Sequence, residues 1–203
     1  MEQNVSMKIN ELPSPTWNWL KVNETPIKWS NKIEPCEIAA EGDVVATETE
    51  QLSDIETGAG READAIFATE NTAKYQILAD NAGQDKTVRL HISGKKDAHT
   101  AGCVEIVAKE NSTLTVVMDS RVAPDATKEE DSTAEASLAV RVRMKVESGA
   151  SVRLVQVQMP QEHETLLSDI GGNLIGEGAK VEYIQLFLGK GNLYSGCRMD
   201  LNG

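Results

Sequence analysis

Few residues in the chain have the types and spacing that metal binding requires. The three histidines are His91, His99 and His163, and His99 stands four residues before Cys103. Imidazole and thiolate both bind zinc, but zinc sites use more ligands at tighter spacings, such as C-x-x-C. The sequence therefore predicts no resident metal or cofactor. His163, within residues 161–164, is interpreted as a solvated loop residue.

The cysteines offer a second kind of chemistry. Cys36, Cys103 and Cys197 are an odd and widely spaced set, which does not indicate a disulfide framework. They could bind an iron–sulfur cluster only if folding brought them together, and no local spacing predicts that. Without a secretory signal, this number and spacing of cysteines favours a protein of the reducing cytosol. The expected location is therefore cytoplasmic.

Arginines and carboxylates suggest the one enzymatic alternative, a polysaccharide lyase. Such a site needs a basic residue over a groove, often with Ca²⁺ held by carboxylates. Arg141, Arg143 and Arg153 could supply the base, and the acidic clusters, such as residues 129–131 and Asp54 with Glu56, could hold calcium. Carboxylate pairs are common on the surface of an acidic chain, and the nucleophile motif G-x-S-x-G is absent. The sequence therefore favours a protein that is not an enzyme.

Two predicted glycine-bearing turns, at 58–60 and 171–173, are candidates for phosphate binding. A phosphate loop also needs a lysine followed by serine or threonine, and neither turn has them. The turns therefore give little support to a phosphate site.

The composition excludes further classes of function. The chain has 203 residues, 32 acidic against 20 basic, and a formal net charge of −12. This charge repels phosphate backbones, so no nucleic-acid partner is expected. No apolar stretch reaches the length of a membrane span. Aromatic residues make up only 4%, so the core must consist of Val, Ile, Leu and Ala.

The elements that would position these residues fall into two predicted regions. Residues 1–35 carry all three tryptophans and four of the six prolines, and are interpreted as an irregular N-terminal arm that the tryptophans pin to the body. Residues 36–203 contain β-type runs and form the predicted core. Within it, residues 123–133 are charged, include the acidic run 129–131, and are expected to be a solvated loop.

An internal repeat is the most informative pattern in the core. Four segments follow the order small, polar, apolar, polar, apolar, apolar, each after a polar or glycine-bearing turn: 73–78, 112–117, 150–155 and 179–184. Alternation places one face of a strand inward, and the doubled apolar pair would shift it by one residue. A bend or bulge at each pair is therefore predicted, as the corners of a β-solenoid would require.

Two segments resemble the SufB/SufD family of iron–sulfur cluster assembly proteins. Residues 12–23, Leu-Pro-Ser-Pro-Thr-Trp-Asn-Trp-Leu-Lys-Val-Asn, resemble the entry to the core domain of SufD-like proteins. Residues 178–189, followed by 193–203, resemble the repeated strands of that core. The resemblance implies an all-β fold, a right-handed parallel β-helix.

The resemblance also implies a function. Members of the SufB/SufD family are scaffold subunits of a cytosolic complex that also contains a SufC-like ABC-type ATPase and a SufB/SufD-like partner subunit. A transient iron–sulfur cluster is assembled in that complex. The family's ATPase-binding helices and cluster-building residues lie in a C-terminal region with no counterpart here. No site residue is therefore transferred, and we expect the natural protein to continue beyond Gly203. A third hypothesis is a plain interaction module whose sheet edge recruits a partner strand.

Overall fold

The computed structural model describes residues 4–10, 24–43, 51–68, 72–80, 82–123 and 135–202. This part of the chain is predominantly β, which confirms the all-β prediction. Its strands are β1 (Asn4–Ile9), β2 (Thr25–Ser30), β3 (Glu34–Pro35), β4 (Glu37–Gly42), β5 (Ala73–Ala79), β6 (Asp85–Ser93), β7 (His99–Ala108), β8 (Thr113–Arg121), β9 (Ala136–Val146), β10 (Ser151–Gln158), β11 (Glu164–Ile175), β12 (Lys180–Phe187) and β13 (Asn192–Asn202). A 3₁₀ turn (Arg61–Ala63) leads into one short helix, α1 (Asp64–Phe67).

From β6 onward, successive strands alternate between two sheets. The five-stranded sheet has the order β12-β10-β8-β6-β4, and the six-stranded sheet the order β13-β11-β9-β7-β3, with β5 also paired to β7. Each strand from β6 to β13 pairs in parallel with the strand two positions away in the chain. One consecutive pair of strands, one from each sheet, is called a rung below.

Side chains from the inner faces of both sheets form the main core. Its members are chiefly Val, Leu, Ile, Met and Ala, as the low aromatic content predicted. In-register pairing places them in rows, such as Val116, Leu154 and Tyr183 on β8, β10 and β12. Burying one such side chain contributes about 1.5–3 kcal/mol, so each row stabilises the stacking of its rungs.

Three of the four repeat copies occupy equivalent places in the fold. Segments 112–117, 150–155 and 179–184 lie on β8, β10 and β12, where Ser151 pairs with both Thr113 and Lys180. The first copy, 73–78, lies instead on β5 in the six-stranded sheet. The repeat is therefore a stacked structural unit for its last three copies.

The predicted bend at the doubled apolar pairs is wrong. The pairing of β8 with β10 runs through Val116 and Val117 without a skipped residue, and burial keeps alternating beyond them. The first residue of each pair faces the core, as with the fully buried Leu154. The second, such as Val155, lies on the outer face and is half-buried. An apolar residue on the outer face thus gives the same local sequence pattern as a shift of register.

The corners lie in the turns before the strands. Asn111, Gly149 and Gly178 each precede a repeat copy and have φ values of 58°, 68° and 75°. Glycine adopts this left-handed conformation without strain, and asparagine tolerates it better than most residues. Backbone hydrogen bonds join the stacked turns, from Asn111 N to Ser148 O and from Gly149 N to Glu177 O. These three turns, two with glycine and one with asparagine, therefore lead the chain from one sheet to the other.

A second layer covers the outer face of the six-stranded sheet. The antiparallel hairpin of β1 and β2 lies within the predicted N-terminal arm, and Trp29 of β2 is 1% exposed. A cluster joins this hairpin and residues near α1 to the outward-facing Ala101, Ala139 and Leu167 of β7, β9 and β11. Trp17, Trp19 and residues 124–133 of the predicted loop lie outside the described residues. Residues 51–68, which cross the sheet, are called the strap below.

The register gives a direct stability prediction. We expect Leu154→Ala to lower the free energy of unfolding by about 2–5 kcal/mol, because it leaves a cavity in the core. Val155→Ala, on the outer face, is the matched control and should cost about 0.5 kcal/mol or less. Urea denaturation followed by circular dichroism measures both. Equal losses would contradict the assignment of the two residues to opposite faces.

Candidate functional site

Asp169 fastens the strap to the six-stranded sheet. It faces outward from β11, is fully buried, and accepts three hydrogen bonds. Thr57 Oγ1 donates at 2.7 Å, the backbone N–H of Ala59 at 2.8 Å and Arg141 Nε at 2.8 Å. A buried carboxylate is stable when its lone pairs are satisfied in this way. The strap thus has a fixed position across the strands.

Arg141 extends the same network to the far end of the strap. It lies on β9 beside Asp169 in register and is 2% exposed. Its Nη1 lies 2.8 Å from Asp64 Oδ1 at the start of α1, and its guanidinium carbon lies 4.1 Å above the centre of the Phe67 ring. Cation–π contact and ion pairing together compensate the desolvation of the guanidinium.

Glycines let the strap lie directly on the strands. A Cβ on Gly58 would overlap the backbone of Gly196 and Cys197 on β13, and one on Gly171 would overlap the carbonyl of Glu56. The turn expected at 171–173 is wrong, because these residues lie within strand β11. The glycines at 58–60 and 171–173 serve close packing of the strap on the strands, which accounts for them without a phosphate.

A polar cleft of about 560 Å³ lies along the strap, bordered by β1, β9 and β13. Its cationic residues are Lys8, Arg61, Arg143 and Arg198. Its acidic residues are Asp54, Glu56, Glu62 and Asp64. The volume suits a small molecule, and the charged lining suits a polar one. Asp54 and Glu56, which the sequence suggested as a carboxylate pair, both line this cleft.

The three arginines of the lyase hypothesis do not converge. Arg141 and Arg143 face outward from the six-stranded sheet, whereas Arg153 faces outward from β10 in the five-stranded sheet. Arg153 Nε lies 2.6 Å from Glu182 Oε2 in an exposed ion pair. Arg141 is neutralised by Asp169 and Asp64. Only Arg143 among the three reaches the cleft.

The histidines are dispersed over the described residues. His99 Nδ1 lies 2.6 Å from Ser137 Oγ, on the outer face of the six-stranded sheet. His91 lies on the outer face of the five-stranded sheet, with Nδ1 2.5 Å from Asp119 Oδ2. His163 is exposed, in a turn with φ 67°. In the described part of the chain, no group of three or more His, Cys, Asp or Glu is placed to hold a metal ion.

The three cysteines lie in three different environments. Cys36 belongs to the core between the sheets, whereas Cys103 faces outward and packs against the cluster under the hairpin. Cys197 lies on the edge strand β13 and is exposed. Burial raises the pKa of Cys36 to about 12. Burial also raises the pKa of Cys103, with Arg141 and Arg143 opposing it, and that of Cys197, with the charge of Asp169 adding to the effect.

These environments predict an order of thiol reactivity. Cys197 should react first with iodoacetamide because it is exposed, and Cys36 should react only on unfolding. Since its pKa is raised above 9.0, Cys197 stays a neutral thiol at pH 7, and its alkylation rate should rise about tenfold per pH unit to pH 8. Mass spectrometry of the labelled peptides measures this, with Cys197→Ser as control. A rate that is already constant between pH 7 and pH 8 would contradict it.

The sequence patterns missed an amide network among β10, β11 and β12. Gln156 is 1% exposed, and its Oε1 accepts hydrogen bonds from Ser168 Oγ at 2.8 Å and Tyr183 OH at 3.0 Å. Gln185 Nε2 donates to Gln158 Oε1 at 2.7 Å. The one sequence signal for it is alternation, which places Gln156 and Gln158 on the same inward face as the apolar Val152 and Leu154. The network satisfies polar groups inside the core.

The fastening of the strap can be measured by mutation. We expect Asp169→Ala to lower the free energy of unfolding by about 3–5 kcal/mol, because it leaves the buried Arg141 without its carboxylate. Glu182→Ala, which breaks the exposed pair with Arg153, should cost about 1 kcal/mol or less. Thermal and urea unfolding of both variants provide the comparison. Similar small losses in both would show that the strap does not depend on Asp169.

Comparisons with models of known protein families, with curated proteins and with solved structures find no match to the chain. Within the residues that the structure describes, no helix is long and apolar enough to cross a membrane.

Proposed function

We propose that the chain is a non-catalytic scaffold subunit of a SUF-type iron–sulfur cluster assembly complex, built as a right-handed parallel β-helix. The observation that carries the proposal is the in-register stacking of three repeat copies on alternating parallel strands. This arrangement agrees with the core that the SufB/SufD resemblance implies. Right-handedness is supported by the general preference of parallel crossover connections.

The contacts that the charged residues make support a structural role for the chain. Asp169 and Arg141 hold the strap on the sheet, and Arg153 pairs with Glu182 on the outside. Burial raises the pKa of all three thiols and so favours their neutral form. These groups serve folding in the described part of the chain, as a scaffold requires. The polysaccharide lyase alternative has less support, because Glu56, one of its candidate calcium carboxylates, is already paired with Arg61 and Arg198.

The proposal includes specific partners. The scaffold works in the cytoplasm with a SufC-like ABC-type ATPase and a SufB/SufD-like partner subunit, and a transient cluster forms in the whole complex. The chain itself holds no resident cofactor. The interaction-module alternative draws on the edge strands β12 and β13, each of which has one neighbour in its sheet among the residues that the structure describes. Ile184 and Leu186 on the outer face of β12 are 37% and 45% exposed, so this edge offers apolar surface to a protein partner.

Co-purification tests the proposal. We expect the protein, expressed from its complete gene with an affinity tag under reducing conditions, to retain an ABC-type ATPase through stringent washing. Mass spectrometry identifies the retained proteins, and an unrelated β-rich protein carrying the same tag is the control. Retention of other proteins without any ATPase would support the interaction module. Failure to bind a SufC-like ATPase supplied in excess would contradict the scaffold assignment.

A further inference from the structure

Two opposite charges in the cleft are left unpaired by the described residues. Arg143 projects from β9, and its Nε donates to the carbonyl of Ile55 at 3.1 Å. Its two Nη groups form no ion pair within the described part of the chain. Asp54, the residue before Ile55, is exposed and also forms no ion pair there. Both side chains line the same cleft, and no ion pair joins them among the described residues.

The other charges of the cleft already have partners. Arg61 Nη2 lies 3.2 Å from Glu56 Oε1, and Arg198 contacts the second oxygen of the same carboxylate. Glu62 Oε2 accepts a hydrogen bond of 2.5 Å from the backbone N–H of Lys8. With four cationic and four acidic side chains, the lining is balanced. A bound molecule would therefore meet one free guanidinium and one free carboxylate.

The strap holds the guanidinium in place before any molecule binds. Gly171 is the neighbour of Arg143 on β11, and it has no side chain to contact the arginine. The carbonyl of Ile55 orients Arg143 instead, and Asp169 fixes the strap a few residues further along. A binding group that is already oriented loses less conformational entropy on binding. The two free Nη groups can then donate two parallel hydrogen bonds to a carboxylate.

We propose that this cleft binds a small zwitterion, an α-amino acid, with its carboxylate on Arg143 and its ammonium group on Asp54. An isolated anion would be repelled by a chain of net charge −12, whereas a zwitterion carries no net charge and suits the balanced lining. The cleft of about 560 Å³ accommodates such a molecule, and its polar walls disfavour an apolar one. This site is separate from the scaffold role and does not depend on it.

Titration with L-alanine, followed by two-dimensional ¹H–¹⁵N NMR, tests the proposal. We expect saturable shifts of the amide signals of Ile55 and Gly171, with a Kd in the millimolar range. Acetate and methylammonium each carry one of the two charges and should bind at least about tenfold more weakly, because each lacks one ion pair. Acetate binding as tight as that of L-alanine would overturn the assignment of a zwitterionic ligand. The absence of saturable shifts would overturn the proposal that the cleft is a binding site.

Matched variants separate binding from folding. Asp54→Asn lies on an exposed part of the strap and should weaken L-alanine binding at least tenfold while the spectrum stays folded. Arg143→Lys keeps the charge but loses the planar guanidinium that donates two parallel hydrogen bonds. It should weaken binding to a similar extent. Arg153→Gln, an arginine variant on the opposite sheet, should leave Kd unchanged. Unchanged binding in a folded Asp54→Asn variant would contradict the assignment of the ammonium partner.

Discussion

In-register parallel pairing is the constraint on which the rest of the structure depends. Because β8, β10 and β12 pair residue for residue, each inward side chain must fit the residues in the rungs on both sides. A slip of one residue would move a whole row from the core to the outer face. The repeated left-handed turn residues, Asn111, Gly149 and Gly178, begin each strand at the same level and so keep this register.

The second layer depends on that register. Arg141 and Asp169 are neighbours only because β9 and β11 pair in this alignment, and their contact fixes the strap. The strap in turn places the Ile55 carbonyl against Arg143 and so defines one wall of the cleft. The position of the strap therefore depends on the register of the sheet, and the shape of the cleft depends on the strap. Any small-molecule site lies on the surface of this scaffold.

The sequence predicted the β architecture and much of the core, because alternation and turn residues are local signals. It also identified three stacked repeat copies. It failed at the doubled apolar pairs, since Val117 and Val155 are apolar on the outer face, and a local pattern cannot distinguish that from a bulge. It also missed the contact between Asp169 and Thr57, which are 112 residues apart in sequence. Such contacts depend on the packing of two layers, which no spacing rule records.

Methyl–methyl nuclear Overhauser effects test the register most directly. In protein labelled at Val and Leu methyl groups, the account predicts cross-peaks between Leu154 and Val116 and between Val155 and Val117. These pairs lie opposite each other on neighbouring strands, on the inner and the outer face respectively. Strong cross-peaks between Leu154 and Val117, without those between Leu154 and Val116, would indicate a register shifted by one residue and would contradict the stacked arrangement.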